Sequence, residues 1–232
     1  YLERTRITEL YIDGKKIGRQ ESLCTPHIYD LNEYIGTGVH EMTICVSNVG
    51  YKTKGGHLTS PDTQTNWNGI TGRIELIGYK NAHAENVMLW CDIHSKTVRV
   101  TADITGGKSG KAVIGAESFN SEKNHTPAVQ SFEYTDGKLD ALYKMGDDCL
   151  LWSEHEPNLY KLKIDIDGDV SEHIIGMREF RTEGGKFTIN GEKTFLRGKH
   201  DGMIFPKTAF APTDLEEWLR VMKISKSYGM KH

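Results

Sequence analysis

Residues 186–196, KFTINGEKTFL, carry the pattern that decides the fold of this chain. Two arms rich in β-branched and aromatic residues flank the pair Asn190-Gly191. Asparagine and glycine both tolerate the positive φ angles of a type I′ turn, so the stretch predicts a two-residue β-hairpin. The same turn signal recurs at Asp13-Gly14, Asp136-Gly137 and Asp167-Gly168.

Strand-like segments fill most of the chain on either side of these turns. Each is short, β-branched or aromatic, and bounded by Gly, Asp, Asn or Pro. They include ITELYI, MTICV, RIELIG, ENVMLWCDI, TVRVTADI, KAVIGA and NLYKLKIDI. This pattern is typical of an all-β sandwich. The polar step GYKNAHAEN separates two sets of strands and favours two sandwiches, and the first set is so short that we expect strands to be missing before Tyr1.

The periodicity changes near the C-terminus from that of strands to that of a helix. Four apolar residues are spaced at i, i+3, i+4 and i+7, namely Leu215, Trp218, Leu219 and Met222. This stripe predicts an amphipathic helix over residues 213–228. Thr213 and Glu216 would form its capping box, and Gly229 would end it.

A strand before this helix is expected from TFLRGKH, residues 194–200. A strand followed by a helix is the beginning of a βαβ unit. A closed (β/α)₈ barrel needs ~250 residues, so we expect the chain to hold only the first piece of one. Because the barrel strands that would cover the helix stripe are then absent, we expect the helix to be frayed, packed on the sandwich or buried in a second copy.

Composition excludes several classes of function. The 232 residues carry a net charge of −3 and are 37% hydrophobic, which argues against disorder and against a nucleic-acid surface. No apolar run has the ~18–20 residues of a transmembrane helix, so no membrane partner is expected. The four cysteines lack metal-site or CxxC spacing, and Cys45 and Cys91 are expected to be buried free thiols. No cofactor and no metal site are expected.

Several motifs, in this order along the chain, resemble glycoside hydrolase family 2, which includes the β-galactosidases and β-glucuronidases. LYIDGKKIG resembles a hairpin of the family's sugar-binding jelly roll, and PHIYDLNEYIGTGVHEMTICVSN and DTQTNWNGITGRIELI resemble its later strands. LWSEHEPNLYKLKI and IIGMREFR resemble the last strands of the family's immunoglobulin-like domain. FTINGEKTFLRGKHDG resembles the entry to its catalytic barrel.

For the fold, this resemblance implies a mainly β chain in three parts. These are an N-terminally truncated jelly-roll sandwich at residues 1–80, an immunoglobulin-like β-sandwich at 81–181, and the start of a catalytic TIM barrel at 182–232. For function, it implies the non-catalytic N-terminal portion of a retaining β-galactosidase-type exo-glycosidase. Such enzymes use two carboxylates ~5–5.5 Å apart, and in the family both are glutamates downstream of this chain. We therefore expect the chain to be inactive alone, to support the barrel and to contribute substrate contacts.

Two stretches hold the expected substrate contacts. His200 and Asp201 follow the expected barrel strand at its C-terminal end, where barrel enzymes build their sites, and the resemblance implies that one of them helps to hold the sugar. The resemblance also implies a role for the long loop 47–69, which is Gly- and Thr-rich. Its candidates are Asp62, Gln64, Asn66 and Trp67, the last by stacking on a sugar ring. Simple loop packing is the alternative for His200 and Asp201, and a core position is the alternative for Trp67.

A stand-alone carbohydrate-binding or adhesion module without hydrolysis is the second function class. Such a module should expose aromatic residues on its sheet, and the sequence shows no obvious cluster beyond Trp67 and Tyr51. In either class the expected partner is a carbohydrate, a β-glycoside. The remainder of the catalytic barrel is a further partner in the first class, and a homo-oligomer is compatible with both. The compartment stays open, although a periplasmic or secreted location would fit bacterial polysaccharide-degrading relatives.

Two acidic patterns are interpreted as structural. Glu154 and Glu156 lie in a loop that precedes a strand, where solvation explains them. DIDGDV, residues 165–170, has its glycine at the fourth position, whereas a calcium loop needs glycine at the sixth. The second pattern therefore predicts a hairpin turn.

Overall fold

The computed structural model describes residues 1–23, 25–51, 68–79, 81–200, 205, 207–208, 211–212 and 214–230. Within these ranges the chain forms thirteen strands and one helix. They are β1 (Ile7–Ile12), β2 (Lys15–Glu21), β3 (Met42–Ser47), β4 (His83–Asp92), β5 (Thr97–Thr105), β6 (Ser109–Ser118), β7 (Gln130–Thr135), β8 (Lys138–Lys144), β9 (Tyr160–Ile166), β10 (Asp169–Ile175), β11 (Phe180–Glu183), β12 (Lys186–Ile189), β13 (Glu192–Lys193) and α1 (Leu215–Ser227). The prediction of a mainly β chain is confirmed.

The chain divides into two compact units, residues 1–78 with 200–220 and residues 79–199 with 221–232. The three-part division expected from the sequence stays a prediction. Among the residues described, no helix has the length and apolar character needed to span a membrane.

The first unit contains a three-stranded antiparallel sheet in the order β2-β1-β3. Leu10 and Ile12 of the central strand are buried, whereas most of β2 and β3 is partly or fully exposed. Cys45 on β3 is exposed and free, so the expectation that it is buried is wrong. The reason is that β3 pairs only with β1 among the described strands and Cys45 lies opposite the surface residue Glu9.

A buried polar network stabilises the centre of this sheet. The hydroxyl of Thr8 lies 2.6 Å from Nδ1 of His27 and 2.8 Å from the hydroxyl of Tyr29. Nε2 of His27 lies 3.2 Å from the carbonyl oxygen of Ser22. A carbonyl oxygen can only accept, so Nε2 carries the proton and Nδ1 accepts from Thr8. His27 is fully buried, and this burial lowers the pKa of its imidazole.

We expect the first unit to lose stability as the pH falls below about 6.5, the ordinary pKa of histidine. The folded pKa of His27 is lowered, so below that pH the unfolded chain binds more protons than the folded one. The stability that neutral His27 provides is therefore fully present above the pKa that His27 has in the unfolded chain. It decreases as the pH falls toward the pKa of His27 in the folded chain, by no more than about 1.4 kcal/mol per pH unit. Urea unfolding at pH 7.5 and 5.5, with His27→Gln as the comparison, measures this loss. A loss equal in both proteins would exclude His27 as its source.

The second unit is built on a seven-stranded antiparallel sheet in the order β10-β9-β6-β7-β8-β5-β4. Buried and exposed residues alternate along β5, β8 and β9, as expected of strands with one covered face. Leu139, Ala141 and Tyr143 illustrate the inward face of β8. The edge strands β4 and β10 approach each other, so the sheet is nearly closed around its core.

The fewest backbone pairs in this sheet lie at its centre, where β7 and β8 are joined by one pair, Thr135 with Lys138. Beyond this hairpin the two strands are linked by a side chain. The amide of Gln130 donates to the carbonyl oxygen of Lys144 at 2.8 Å and accepts from its N–H at 3.2 Å. Gln130 thus supplies the two hydrogen bonds that a neighbouring backbone would otherwise provide.

All four predicted two-residue turns are confirmed. Both residues of Asp13-Gly14, Asp136-Gly137, Asp167-Gly168 and Asn190-Gly191 have positive φ. Each pair joins two antiparallel strands, as Ile166 and Asp169 do on either side of the third turn. The acidic pattern DIDGDV is therefore a hairpin, as predicted.

Two predicted strands are not formed. RIELIG, residues 73–78, has a single bridge between Ile74 and Leu2, and its apolar residues are exposed. TFLRGKH, residues 194–200, is paired only at Thr194, whose N–H donates to the carbonyl oxygen of Phe187 at 2.9 Å, and Phe195 is 77% exposed. A parallel barrel strand is stabilised by neighbours on both sides, and the described residues provide no parallel neighbour for this segment.

The small sheet β11-β12-β13 is fixed to the rest of the second unit by Asn190. The Asn190 amide accepts from the N–H of Glu179 at 2.9 Å and donates to the carbonyl oxygen of Trp152 at 2.9 Å. The Trp152 ring in turn lies 4.7 Å from the guanidinium of Arg178. One turn residue therefore joins the hairpin to the segment that precedes β9.

Helix α1 begins two residues later than predicted. Oδ1 of Asp214 accepts from the N–H of Glu217 at 2.9 Å and caps the helix, while the predicted cap, Thr213, lies outside the described residues. Helix α1 ends at Gly229 as predicted. Gly229 has a φ of 78°, and the two backbone hydrogen bonds of a Schellman motif close the helix end.

The apolar stripe of α1 is largely exposed within the single chain. Leu215 and Met222 are more than half exposed, and no residue of the helix is buried. Trp218 is partly covered by Phe205 at a centroid distance of 6.0 Å, and its Nε1 donates to Pro212. The helix is regular from Leu215 to Ser227, and burial of its stripe in a second copy stays a prediction.

Candidate functional site

The candidate site lies at the base of the loop 47–69, in the first unit. Strand β3 ends at Ser47, and the amide of Asn48 donates to the side-chain oxygen of Asn68. This hydrogen bond joins the two described ends of the loop. A cleft of about 90 Å³ lies beside it and is lined by Arg6, Val46, Ser47, Asn48, Asn68 and Gly69.

The described lining of the cleft offers polar groups to a ligand and contains no carboxylate. Two amides, one hydroxyl and one guanidinium provide hydrogen-bond donors and acceptors, which suits a polyhydroxylated molecule. Glycoside hydrolysis needs a pair of carboxylates, so these residues could hold a sugar and could not cleave it.

The predicted contact residues are only partly described. Asp62, Gln64, Asn66 and Trp67, together with Asp201, lie outside the described residues. His200 is described and is exposed, in the segment that lacks strand pairing. Only His200 of the six can therefore be placed, and the roles of all six stay predictions.

None of the six residues that line the cleft was among the predicted contacts. Asn48 lies at the start of the long loop, directly after β3, so its position at a strand end could have suggested it. Arg6 gave no signal, because it lies about forty residues away along the chain and reaches the cleft only through the pairing of Ile7 with Ser47.

The pKa is lowered at seven carboxyl groups, namely Glu3, Glu9, Asp13, Asp92, Asp103, Asp140 and Glu217. Their causes are hydrogen bonds from neighbours, as from Lys138 to Asp103. Glu154 and Glu156 lie in the turn before β9. Within the described ranges, no three His, Cys, Asp or Glu side chains form a group that could hold a metal ion.

Comparison with known proteins connects this fold to glycosidases. Residues 82–178 match the family model of glycosyl hydrolases family 2. A β-galactosidase from Thermoanaerobacter pseudethanolicus is 27% identical over 224 residues, covering 90% of this chain and 29% of the relative. A β-galactosidase from Leuconostoc mesenteroides is 22% identical over 218 residues, covering 87% of this chain and 21% of the relative.

Solved structures show the same fold. The β-glucuronidase of Parabacteroides merdae aligns with a TM-score of 0.69 at 16% identity, covering 98% of this chain and 31% of that one. β-Glucuronidase 2 of Bacteroides uniformis aligns with a TM-score of 0.65 at 16% identity, covering 98% and 30%.

The class that these matches and the mainly β fold indicate is that of the glycoside hydrolases. Within it, residues 82–178 match family 2, and the relatives described above are similar to most of the chain. The chain spans between 21% and 29% of the length of the two curated β-galactosidases described above.

Proposed function

We propose that the chain is the non-catalytic N-terminal portion of a retaining family 2 glycosidase of the β-galactosidase type. In this proposal it supports a catalytic barrel, contributes substrate contacts and does not hydrolyse glycosides alone. The observation that carries the proposal is the family match, combined with the small share of each curated relative that the chain covers.

Exposed apolar side chains favour a role in packing against a catalytic barrel. Phe180 and Phe187 stack at 5.3 Å on the small sheet, and both are at least 43% exposed. Phe195 and Leu196 follow in the segment after β13. Contiguous exposed apolar surface marks interaction sites, and a catalytic barrel following this segment would cover it.

The chemistry of the described residues agrees with a non-catalytic role. The cleft at the loop base offers neutral and cationic hydrogen-bonding groups, and the described carboxyl groups with displaced pKa values are held ionised by their neighbours. The two glutamates that perform retaining hydrolysis would then lie downstream of this chain. His200, Asp201, Asp62, Gln64, Asn66 and Trp67 are the proposed substrate contacts.

The proposal is tested by sequencing the source gene past the codon for His232 and expressing both products. We expect an open frame of several hundred codons that encodes two strand-end glutamates. The longer protein should hydrolyse p-nitrophenyl β-galactoside, and the 232-residue chain should not. Hydrolysis by the 232-residue chain, or a stop codon directly after His232, would contradict the proposal and favour a stand-alone binding module.

We expect His200→Ala to lower kcat/KM of the longer protein about tenfold, because one hydrogen bond to the sugar is worth about 1.4 kcal/mol. Steady-state kinetics with p-nitrophenyl β-galactoside measures this change. Lys193→Ala is the control, since Lys193 is exposed on β13 and is not a proposed contact. Equal kinetics for the two variants would remove His200 from the proposed site.

A further inference from the structure

The outer face of β4, β5 and β8 in the second unit carries an exposed aromatic residue among polar groups. The strand register places Trp90, Arg99 and Leu142 in one row across the three strands. The next row contains Met88, Thr101 and Asp140. The apolar members are about half exposed, namely Met88 at 53%, Trp90 at 47% and Leu142 at 55%. We call these two rows the Trp90 face.

The charged members of the Trp90 face neutralise each other. Nε of Arg99 donates to Oδ1 of Asp140 at 2.9 Å, and a second guanidinium nitrogen donates to Oδ2 at 2.7 Å. The same guanidinium lies 5.7 Å from the centroid of the Trp90 ring. At the border of the face, Lys138 is paired in the same way with Asp103. A strongly charged partner such as nucleic acid would therefore find no net field here.

The paired groups keep hydrogen-bonding capacity toward solvent. Arginine has five N–H donors, and the pairing with Asp140 uses two of them. Each carboxylate oxygen of Asp140 can accept a further hydrogen bond. The face thus combines a flat aromatic surface with fixed donors and acceptors beside it, which matches the C–H face and the hydroxyl groups of a pyranose ring.

The size of the face argues against a protein partner. Three half-exposed apolar side chains offer far less than the ~800 Å² that each partner contributes to a standard protein–protein interface. A sugar chain needs a smaller contact and tolerates the polar groups between the apolar ones.

We infer that the Trp90 face binds a neutral β-linked glycan chain, with Trp90 stacking on one ring and the Arg99–Asp140 pair contacting hydroxyl groups of the same or the next ring. The proposed function contributes only the choice of a glycan as ligand. Binding at this face requires no hydrolysis. If the face binds no glycan, the proposed activity of the longer protein is unaffected. If the longer protein is inactive, glycan binding at this face can still be measured.

The experiment is native affinity electrophoresis of the 232-residue chain through gels containing soluble β-1,4-galactan, β-1,4-xylan or hydroxyethyl cellulose. We expect retardation in at least one of these gels relative to a gel without polysaccharide. Trp90→Ala should abolish the retardation, and Trp90→Phe should retain part of it. Phe180→Ala is the matched control, because Phe180 is 51% exposed on a different sheet and its variant should migrate as the wild type does.

Three results would overturn the inference. The first is unretarded migration of the wild type in all three gels. The second is retardation that is equal in wild type and Trp90→Ala when circular dichroism shows both to be folded. The third is a dimer of the wild type in size-exclusion chromatography that Trp90→Ala converts to a monomer, which would assign the face to self-association.

Discussion

Replacement of Gly110 by alanine is expected to lower the free energy of unfolding of the second unit by about 1–3 kcal/mol. Gly110 on β6 pairs with Tyr134 on β7, and the tyrosine ring covers the glycine. An added Cβ would lie 2.7 Å from the Tyr134 hydroxyl oxygen and 2.9 Å from two ring carbons. Tyr134 is only 2% exposed, so its ring cannot move aside without disturbing the core.

Gly115→Ala on the same strand is the control for this prediction. Its added Cβ would meet only one methyl group of Val129, at 3.3 Å, and Val129 is 67% exposed and can move. We expect a change within about 0.5 kcal/mol for this variant. Denaturant unfolding followed by circular dichroism measures both changes. Similar losses for the two variants would show that the Tyr134 ring does not constrain Gly110.

Asn190→Ala is expected to destabilise the attachment of the small sheet by about 2–3 kcal/mol, through two separate effects. It removes the hydrogen bonds to Glu179 and Trp152, each worth about 1 kcal/mol. It also places alanine at a φ of 53°, where a side chain without a polar group is disfavoured by about 1 kcal/mol.

Asp167→Ala separates these two effects. Asp167 occupies the same position of a type I′ turn with a φ of 52°, so its variant carries the backbone cost alone. We expect a loss of about 1 kcal/mol for it. Denaturant unfolding measures the loss of free energy in Asp167→Ala, and hydrogen exchange of the amides in β11 and β12 measures the loss in Asn190→Ala, because it reports local opening of the small sheet. If the loss in Asn190→Ala does not exceed that in Asp167→Ala, the Asn190 side chain does not fix the sheet.

Local sequence signals predicted the hairpins and the helix. Turn pairs such as Asn190-Gly191 act through the φ preference of two residues and need no distant partner. The same is true of α1, whose apolar spacing and terminal glycine were sufficient. The segments 73–78 and 194–200 were predicted as strands from composition, but only the start of each is hydrogen-bonded to another segment: Arg73 and Glu75 bond to residues 1–3, and Thr194 bonds to Phe187. A strand needs such a neighbour along its whole length, and composition does not show whether one is present.

The cleft at the loop base and the Trp90 face were harder to predict from the sequence than the hairpins and the helix. The cleft at the loop base brings Arg6 beside Asn48 and Asn68, and only the pairing of β1 with β3 places them together. The exposure of Trp90 depends on a β-bulge between Glu85 and Met88, which changes the alternation of inward and outward residues along β4. The sequence alone therefore did not indicate that Trp90 lies on the exposed face of this sheet.

The near closure of the seven-stranded sheet has a consequence for how the chain behaves at high concentration. An open sheet presents rows of unpaired N–H and C=O groups that can recruit strands of other molecules. Here the strands that would form those rows, β4 and β10, approach each other. We therefore expect strand addition at the β4 and β10 edges to be hindered, because each of these strands limits the access of another molecule to the backbone of the other.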